Sequence, residues 1–207
     1  MRRTVALPHS EVSYLEWAPE SRELGAVVLL HGGGVDSAKL SWGSIGQALR
    51  EAGWRVLAPD APGYGESPLP DWPSSQENLV RFVAEFVDAL GLDRFVLGGL
   101  SMGGGMALGY GLDHPARMAA LIPCGSYGLT SRQWPGRWSV PLHKLTWISL
   151  RTGLVRIATK LTLRSERLTH LSMANLVRRP GSDTPELRAT IAAEARRPNA
   201  GVAFGQW

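Results

Sequence analysis

The stretch Val96-Leu97-Gly98-Gly99-Leu100-Ser101-Met102-Gly103-Gly104-Gly105 restricts this chain more than any other. An apolar, β-prone run breaks into glycines around one serine, then resumes as the helix-forming run Met106-Ala107-Leu108. This reads as a buried strand turning sharply into a helix, and Gly99, Ser101 and Gly103 fit the G-x-S-x-G spacing. The spacing has a steric reason. A serine at a tight strand-to-helix bend takes strained dihedrals and projects its hydroxyl outward. Strand and helix then pass so closely that the residues two before and two after it must lack side chains. The following helix aims its free N-terminal N–H groups, Met102 first, at the place where negative charge would gather.

A second run, Ala26-Val27-Val28-Leu29-Leu30, is continuously apolar, as expected of a strand buried on both faces. It ends in His31-Gly32-Gly33-Gly34, a loop that lets a backbone N–H approach a substrate carbonyl with no side chain in the way. Gly33 is the expected donor, with Gly34 second and the Met102 N–H as partner. His31, at a strand end before glycines, is read as holding the loop by hydrogen bonds and not as a base. Between the two motifs, Val56-Leu57-Ala58-Pro59-Asp60 feeds the glycine-punctuated loop Ala61-Pro62-Gly63-Tyr64-Gly65-Glu66-Ser67.

Further elements fall into an alternating order. Val5–Leu7 and Val12–Trp17 read as short strands, Arg55–Ala58, Arg94–Leu97 and Met118–Ile122 as later ones. A helix is expected over Ser41–Ala52, closed by Gly53. A second runs to Leu90 from a cap at Ser74 or Ser75, with Gly91 as its stop. On that helix Leu79, Phe82, Val83, Phe86, Val87 and Leu90 recur at three- and four-residue spacing, an amphipathic core face. A third spans Gly103–Leu112. Strands alternating with helices imply right-handed crossovers and a parallel sheet.

These residues resemble the α/β-hydrolase superfamily, in particular its small, capped serine hydrolases. The resemblance covers roughly residues 5–130, with the oxyanion loop, the D-x-x-G-x-G-x-S loop and the nucleophile turn in family order. It implies a mostly parallel α/β-hydrolase sheet with helices on both faces plus a helical cap inserted after the sixth strand. It also implies a triad running Ser, acid, His along the chain. Ser101 would be the nucleophile, Gly33 and Met102 the oxyanion-hole donors, and His31, Gly32, Gly34, Gly99 and Gly103 their support. The serine sets the chain apart from the superfamily's epoxide hydrolases and dehalogenases, which carry an aspartate there.

From about Ser126 the character changes. Residues 1–129 hold nine Lys and Arg against fourteen Asp and Glu, whereas residues 130–207 hold thirteen against four. Helical patterns fit Pro141–Leu161, Ser165–Arg179 and Pro185–Arg197, so the expected division is an α/β-hydrolase core over 1–126 and a cap over 127–207. The arginines are read mainly as solvated helix faces; an anionic substrate or an acidic or membrane surface is the other reading of that charge. They form no stripe suited to nucleic acid. The sequence runs out within cap-like residues. The expected fold therefore lacks the last two strands, and the triad acid and histidine are absent from the chain. Among later candidates, Asp113-His114 belongs to the far end of the domain. His143 and His170 fall on cap helices, and Glu166 with His170 reads as a surface pair. A missing C-terminal segment or a partner chain would have to cover the open edge at the strand ending in Cys124.

With 44% hydrophobic residues and 24 glycines in 207 positions, the composition suits one globular α/β unit. The single cysteine, Cys124, is expected to be a small buried hydrophobe. Met1-Arg2-Arg3 precedes no apolar stretch, no run is long enough for a transmembrane helix, and a cytoplasmic protein is expected. No residue pattern suggests a metal or cofactor. The expected activity is hydrolysis of a carboxylic ester or related acyl compound through a Ser101 acyl-enzyme, nearly lost in a chain of this extent. The alternative is a non-catalytic fragment or binding module. Trp134, Trp138 and Trp147 are candidates for an apolar pocket, and the small-molecule acyl substrate itself is not readable.

Overall fold

The computed structural model describes residues 1–20, 22–129, 139–154 and 184–206, with positions 157, 158, 161, 165 and 168. Its strands are β1 (Arg2–Leu7), β2 (Ser10–Trp17), β3 (Ala26–Leu30), β4 (Arg55–Pro59), β5 (Phe95–Leu100) and β6 (Met118–Cys124). Between and after them come α1 (Ala38–Glu51), α2 (Gln76–Ala89), α3 (Met102–Asp113), α4 (Ser139–Arg151) and α5 (Pro185–Ala195). Short 3₁₀ turns occupy Pro115–Arg117 and Ala203–Gln206.

The strands form one six-stranded sheet in the order β1-β2-β4-β3-β5-β6. β3 pairs in parallel with β4 and β5, and β5 with β6, while β1–β2 and β2–β4 are antiparallel. This is the mostly parallel sheet that the alternating pattern predicts. Its apolar strands are covered twice. Val27 and Leu29 pack with Ala38 and Trp42 of α1 on one face. Val28 and Leu30 pack on the other, against the α2 and α3 side, with Phe82, Phe86 and Tyr110. A side chain of this size gains about 1.5–3 kcal/mol on full burial, so the period-two alternation of β3 locks its register.

Several boundaries differ from expectation. β1 starts at Arg2, three residues earlier than read, because both arginines find acidic partners: Arg2 meets Asp60 at 2.6 Å and the exposed Arg3 meets Glu16 at 2.6 Å. α1 begins at Ala38, three residues earlier than read, because the Ser37 hydroxyl accepts the Leu40 N–H and caps it. α2 is capped by Ser75 as expected. Beyond the sheet, α4 stops at Arg151 and a turn follows at 152–153, so the single helix expected over Pro141–Leu161 is broken there. α5 starts at Pro185 as expected, capped by the Thr184 hydroxyl. The helix expected over Ser165–Arg179, the Glu166 and His170 pair, Trp134 and Trp138 lie outside the described residues, as do the side chains of His143 and Trp147.

Among the described residues β6 pairs with β5 alone, and Ile122 on it is half exposed. Cys124 is half-buried there and not in the core, because a strand with one neighbour leaves its other side uncovered. No described helix is long and apolar enough to cross a membrane.

Candidate active site

β5 runs between β3 and β6 at the centre of the parallel part of the sheet, and it delivers its last residue into a bend. Ser101 occupies that bend at φ 50°, ψ −107°, the one described non-glycine residue with positive φ. Strain of this kind costs about 1–3 kcal/mol and persists only where the surroundings over-determine it. Here they do. The Ser101 N–H donates to Cys124 O at 2.9 Å, and Ser101 O accepts the Gly105 N–H at 3.1 Å. The Gly103 N–H donates across to His31 O at 3.1 Å. The serine is exposed while the helix that follows, from Met102 to Ala107, is buried.

The glycines at the bend answer to distance. A Cβ on Gly99 would stand 2.1 Å from Gly103 O, and one on Gly103 would stand 2.4 Å from Leu30 O. Neither has positive φ, so close approach and not backbone freedom requires them.

The His31–Gly34 loop lies beside this bend: the Cβ direction of Gly32 points within 3.8 Å of Ser101 Cβ. His31 is almost fully buried, and both ring nitrogens are engaged by backbone. The Ala61 N–H donates to Nε2 at 2.9 Å, which leaves the proton on Nδ1, 2.7 Å from Gly32 O. With its tautomer fixed in this way the imidazole braces the loop; it has no nitrogen left to serve Ser101. Its ring also packs on Tyr64, centroids 5.0 Å apart.

The loop's own N–H groups divide their duties. That of Gly32 donates to Asp36 Oδ2 at 2.7 Å. The Gly34 backbone meets the Tyr64 hydroxyl, which reaches Met102 Sδ at 3.4 Å and whose ionisation burial pushes far above the ordinary value. The Gly33 N–H has no acceptor among the described residues. The Met102 N–H, in the first turn of α3, has no intrahelical partner either. Two uncommitted donors thus come one from each motif, Met102 directly after the exposed serine and Gly33 in the loop beside it.

The loop after β4 supports this frame through Asp60, which has no exposed surface. Its carboxylate accepts the Ala38 N–H at 2.8 Å, the Glu66 N–H at 3.0 Å and Arg2 at 2.6 Å. A Cβ on Gly65 would fall 2.3 Å from Asp60 Cγ, and the Ser67 hydroxyl donates to Asp60 O at 2.6 Å. Asp60, Gly65 and Ser67 are therefore one interlocked turn.

The 3₁₀ turn at the end of the chain packs over the same place. A Cβ on Gly33 would lie 2.5 Å from the Phe204 ring, and one on Gly63 2.9 Å from Ala203 Cβ. Tyr64 and Phe204 escape sequence reading because each acts on a loop distant in sequence, and Asp36, four residues from Gly32, escapes it because no motif spacing marks it. A small cleft, about 20 Å³, opens beside the loop, lined by Gly34, Asp36, Tyr64, Glu194 and Arg197 among others. Arg197 joins α5 to this region, 2.6 Å from Glu194 and 3.6 Å from Glu66. Of the later candidates, His114 caps the far end of α3.

A sequence profile described as "alpha/beta hydrolase fold" matches residues 25–147. Over 108 residues the chain is 42% identical to a 2-hydroxy-6-oxo-6-phenylhexa-2,4-dienoate hydrolase of Burkholderia cepacia, half of this chain and 37% of that protein. Over 143 residues it is 30% identical to a 2-hydroxy-6-oxo-6-(2'-aminophenyl)hexa-2,4-dienoic acid hydrolase of Metapseudomonas resinovorans, 66% of this chain and 46% of that one. The matched stretch is under half the length of these curated relatives. Among solved structures, an enol-lactonase of Burkholderia xenovorans LB400 superposes with a TM-score of 0.68 at 21% identity, over 99% of this chain and 71% of its own. A putative lipase of Acinetobacter baumannii AYE does so with 0.72 at 21% identity, over 100% and 63%. Those two likenesses are of fold.

Proposed function

The chain belongs to the α/β-hydrolase fold family, and from that premise we propose that it carries the nucleophilic half of a serine hydrolase acting on a carboxylic ester or related acyl compound. Ser101 Oγ attacks the acyl carbon, the carbonyl π electrons move to oxygen, and the Gly33 and Met102 N–H groups receive the oxyanion. Collapse breaks the bond to the leaving group, which takes the serine proton; water then releases the acid and restores the hydroxyl. The observation that carries this reading is the strained, outward Ser101 beside two backbone donors without internal acceptors. A preorganised donor of this kind is worth about 10²–10³ in kcat.

The names of the curated relatives make a 2-hydroxy-6-oxo-dienoate the first substrate class to try beside simple aryl esters. Residues 127–207 are read as the cap that selects among them, with Phe204 against the oxyanion loop. A second reading, a binding module that retains the pocket, is favoured by one observation: among the described residues no histidine with a free ring nitrogen stands beside Ser101. Labelling by a fluorophosphonate, with Ser101→Ala as control, separates the two. Labelling that vanishes in Ser101→Ala supports the hydrolase; labelling that persists there, or none at all, refutes an activated Ser101.

A further inference from the structure

We propose that Asp36 is a positioning residue for the oxyanion hole, acting through the Gly32 peptide to aim the Gly33 N–H at the reacting oxygen. This rests on the reading of Ser101 as nucleophile. Asp36 lies at neither end of a motif, and no part of the chemistry above uses it. Its carboxylate nonetheless has a full set of donors on one side. Oδ2 accepts the Gly32 N–H at 2.7 Å and the Ser41 hydroxyl lies at 2.7 Å; Oδ1 accepts the Ser37 N–H at 2.8 Å and is 2.8 Å from the same hydroxyl. Ser37 is the N-cap of α1 and Ser41 sits in its first turns, so Asp36 fastens the glycine loop to the start of a 14-residue helix.

The direction of that fastening matters. The Cβ vector of Gly32 ends 2.9 Å from Asp36 Oδ2 and 3.8 Å from Ser101 Cβ, so the carboxylate and the serine flank the same peptide. Three successive glycines have the widest conformational freedom a loop can have, and freedom is a defect where a donor must be preset. His31 fixes the carbonyl side of the Gly32 residue and Asp36 its N–H side. The Gly32 carbonyl shares its peptide plane with the Gly33 N–H, and the Gly32 N–H belongs to the plane before it, so with both held the two dihedrals of Gly32 are fixed and the Gly33 N–H has little room to swing. Loss of the Asp36 bond frees one of the two, and a donor displaced by about 1 Å costs up to about 10² in rate. Because the oxyanion exists only in the transition state, the loss falls on kcat and leaves KM nearly alone.

The test measures hydrolysis of a p-nitrophenyl ester by the full chain as Asp36→Ala, Asp36→Asn, Ser101→Ala and wild type. Asp36→Ala should lower kcat by about 10–100-fold with KM within about threefold. Asp36→Asn, which keeps one acceptor oxygen, should fall between it and wild type. Equal kcat in Asp36→Ala and wild type overturns the proposal, as does a kcat loss matched by an equal loss of folded protein. Unchanged hydrolysis in Ser101→Ala overturns the nucleophile reading instead. Amide hydrogen exchange of Gly32, whose N–H Asp36 accepts, gives a readout that needs no turnover. Asp36→Ala should speed it by about tenfold with no change in β5 amides, and unchanged exchange overturns the proposal.

Discussion

Gly99→Ala isolates the claim that the bend at Ser101 is built on proximity. The new methyl carbon would stand 2.1 Å from Gly103 O and 2.3 Å from Gly103 C, where ordinary contacts begin at 3.4 Å. Both opposing atoms are main chain, so no rotamer relieves the clash and α3 must retreat from β5 by about 1 Å. Overpacking costs about 1–3 kcal/mol, and a clash of backbone with backbone belongs at the upper end. At about 2–4 °C per kcal/mol for a domain of this size, the thermal midpoint should fall by about 6–12 °C. The same retreat displaces Ser101 and the Met102 N–H, so fluorophosphonate labelling should slow by about 10²-fold. Gly91→Ala is the control: Gly91 has φ +63° and open space around it, so it tests conformational strain without contact. That substitution should cost about 1–2 kcal/mol and leave labelling unchanged. The reasoning fails if Gly99→Ala labels at the wild-type rate, or if its midpoint falls no further than that of Gly91→Ala.

Two further outcomes follow from buried groups near the site. His31→Ala leaves the Ala61 N–H without an acceptor and opens space beneath Tyr64, and should destabilise by about 2–4 kcal/mol in urea unfolding; a change below about 0.5 kcal/mol would contradict the brace assigned to it. Burial pushes the Tyr127 phenol up to about 12, beside Gln76, from an ordinary 10.0. Between those values the unfolded chain has released the proton and the native one has not. Stability should therefore decline as pH rises through this window, and Tyr127→Phe should remove that part of the decline in unfolding measured from pH 9 to 12.

Much of this arrangement was legible in the sequence, and the legible part is local. A strand apolar at every position, such as Ala26–Leu30, must be covered on both faces, and it is. Glycines two before and two after a serine announce a close crossing, which the 2.1 Å Cβ clearance at Gly99 makes concrete. Element ends were less legible where a long-range partner decides them. Arg2 and Arg3 look like a polar leader, yet they extend β1 because Asp60 and Glu16 neutralise them. Ser37 looks like part of a glycine loop, yet its hydroxyl starts α1. Asp36 and Tyr64 carry no periodicity and sit in no spacing rule. Tyr64 meets Met102 only because the folded chain brings them near, and the bond of Asp36 to the Gly32 N–H, though only four residues long, depends on how the glycine loop turns.

The Asp60 carboxylate ties the first strand of the sheet to the loops that follow β3 and β4. One oxygen meets Arg2 and the other meets Ala38, while the next residue, Ala61, holds His31 through its N–H. To an engineer of this scaffold the opening hairpin looks like trim, free to shorten or randomise. Its second residue is instead the countercharge for a group sealed from water, and uncompensated charge in such a place is among the costliest defects a fold can carry. Libraries drawn around Ser101 should for that reason keep position 2 fixed.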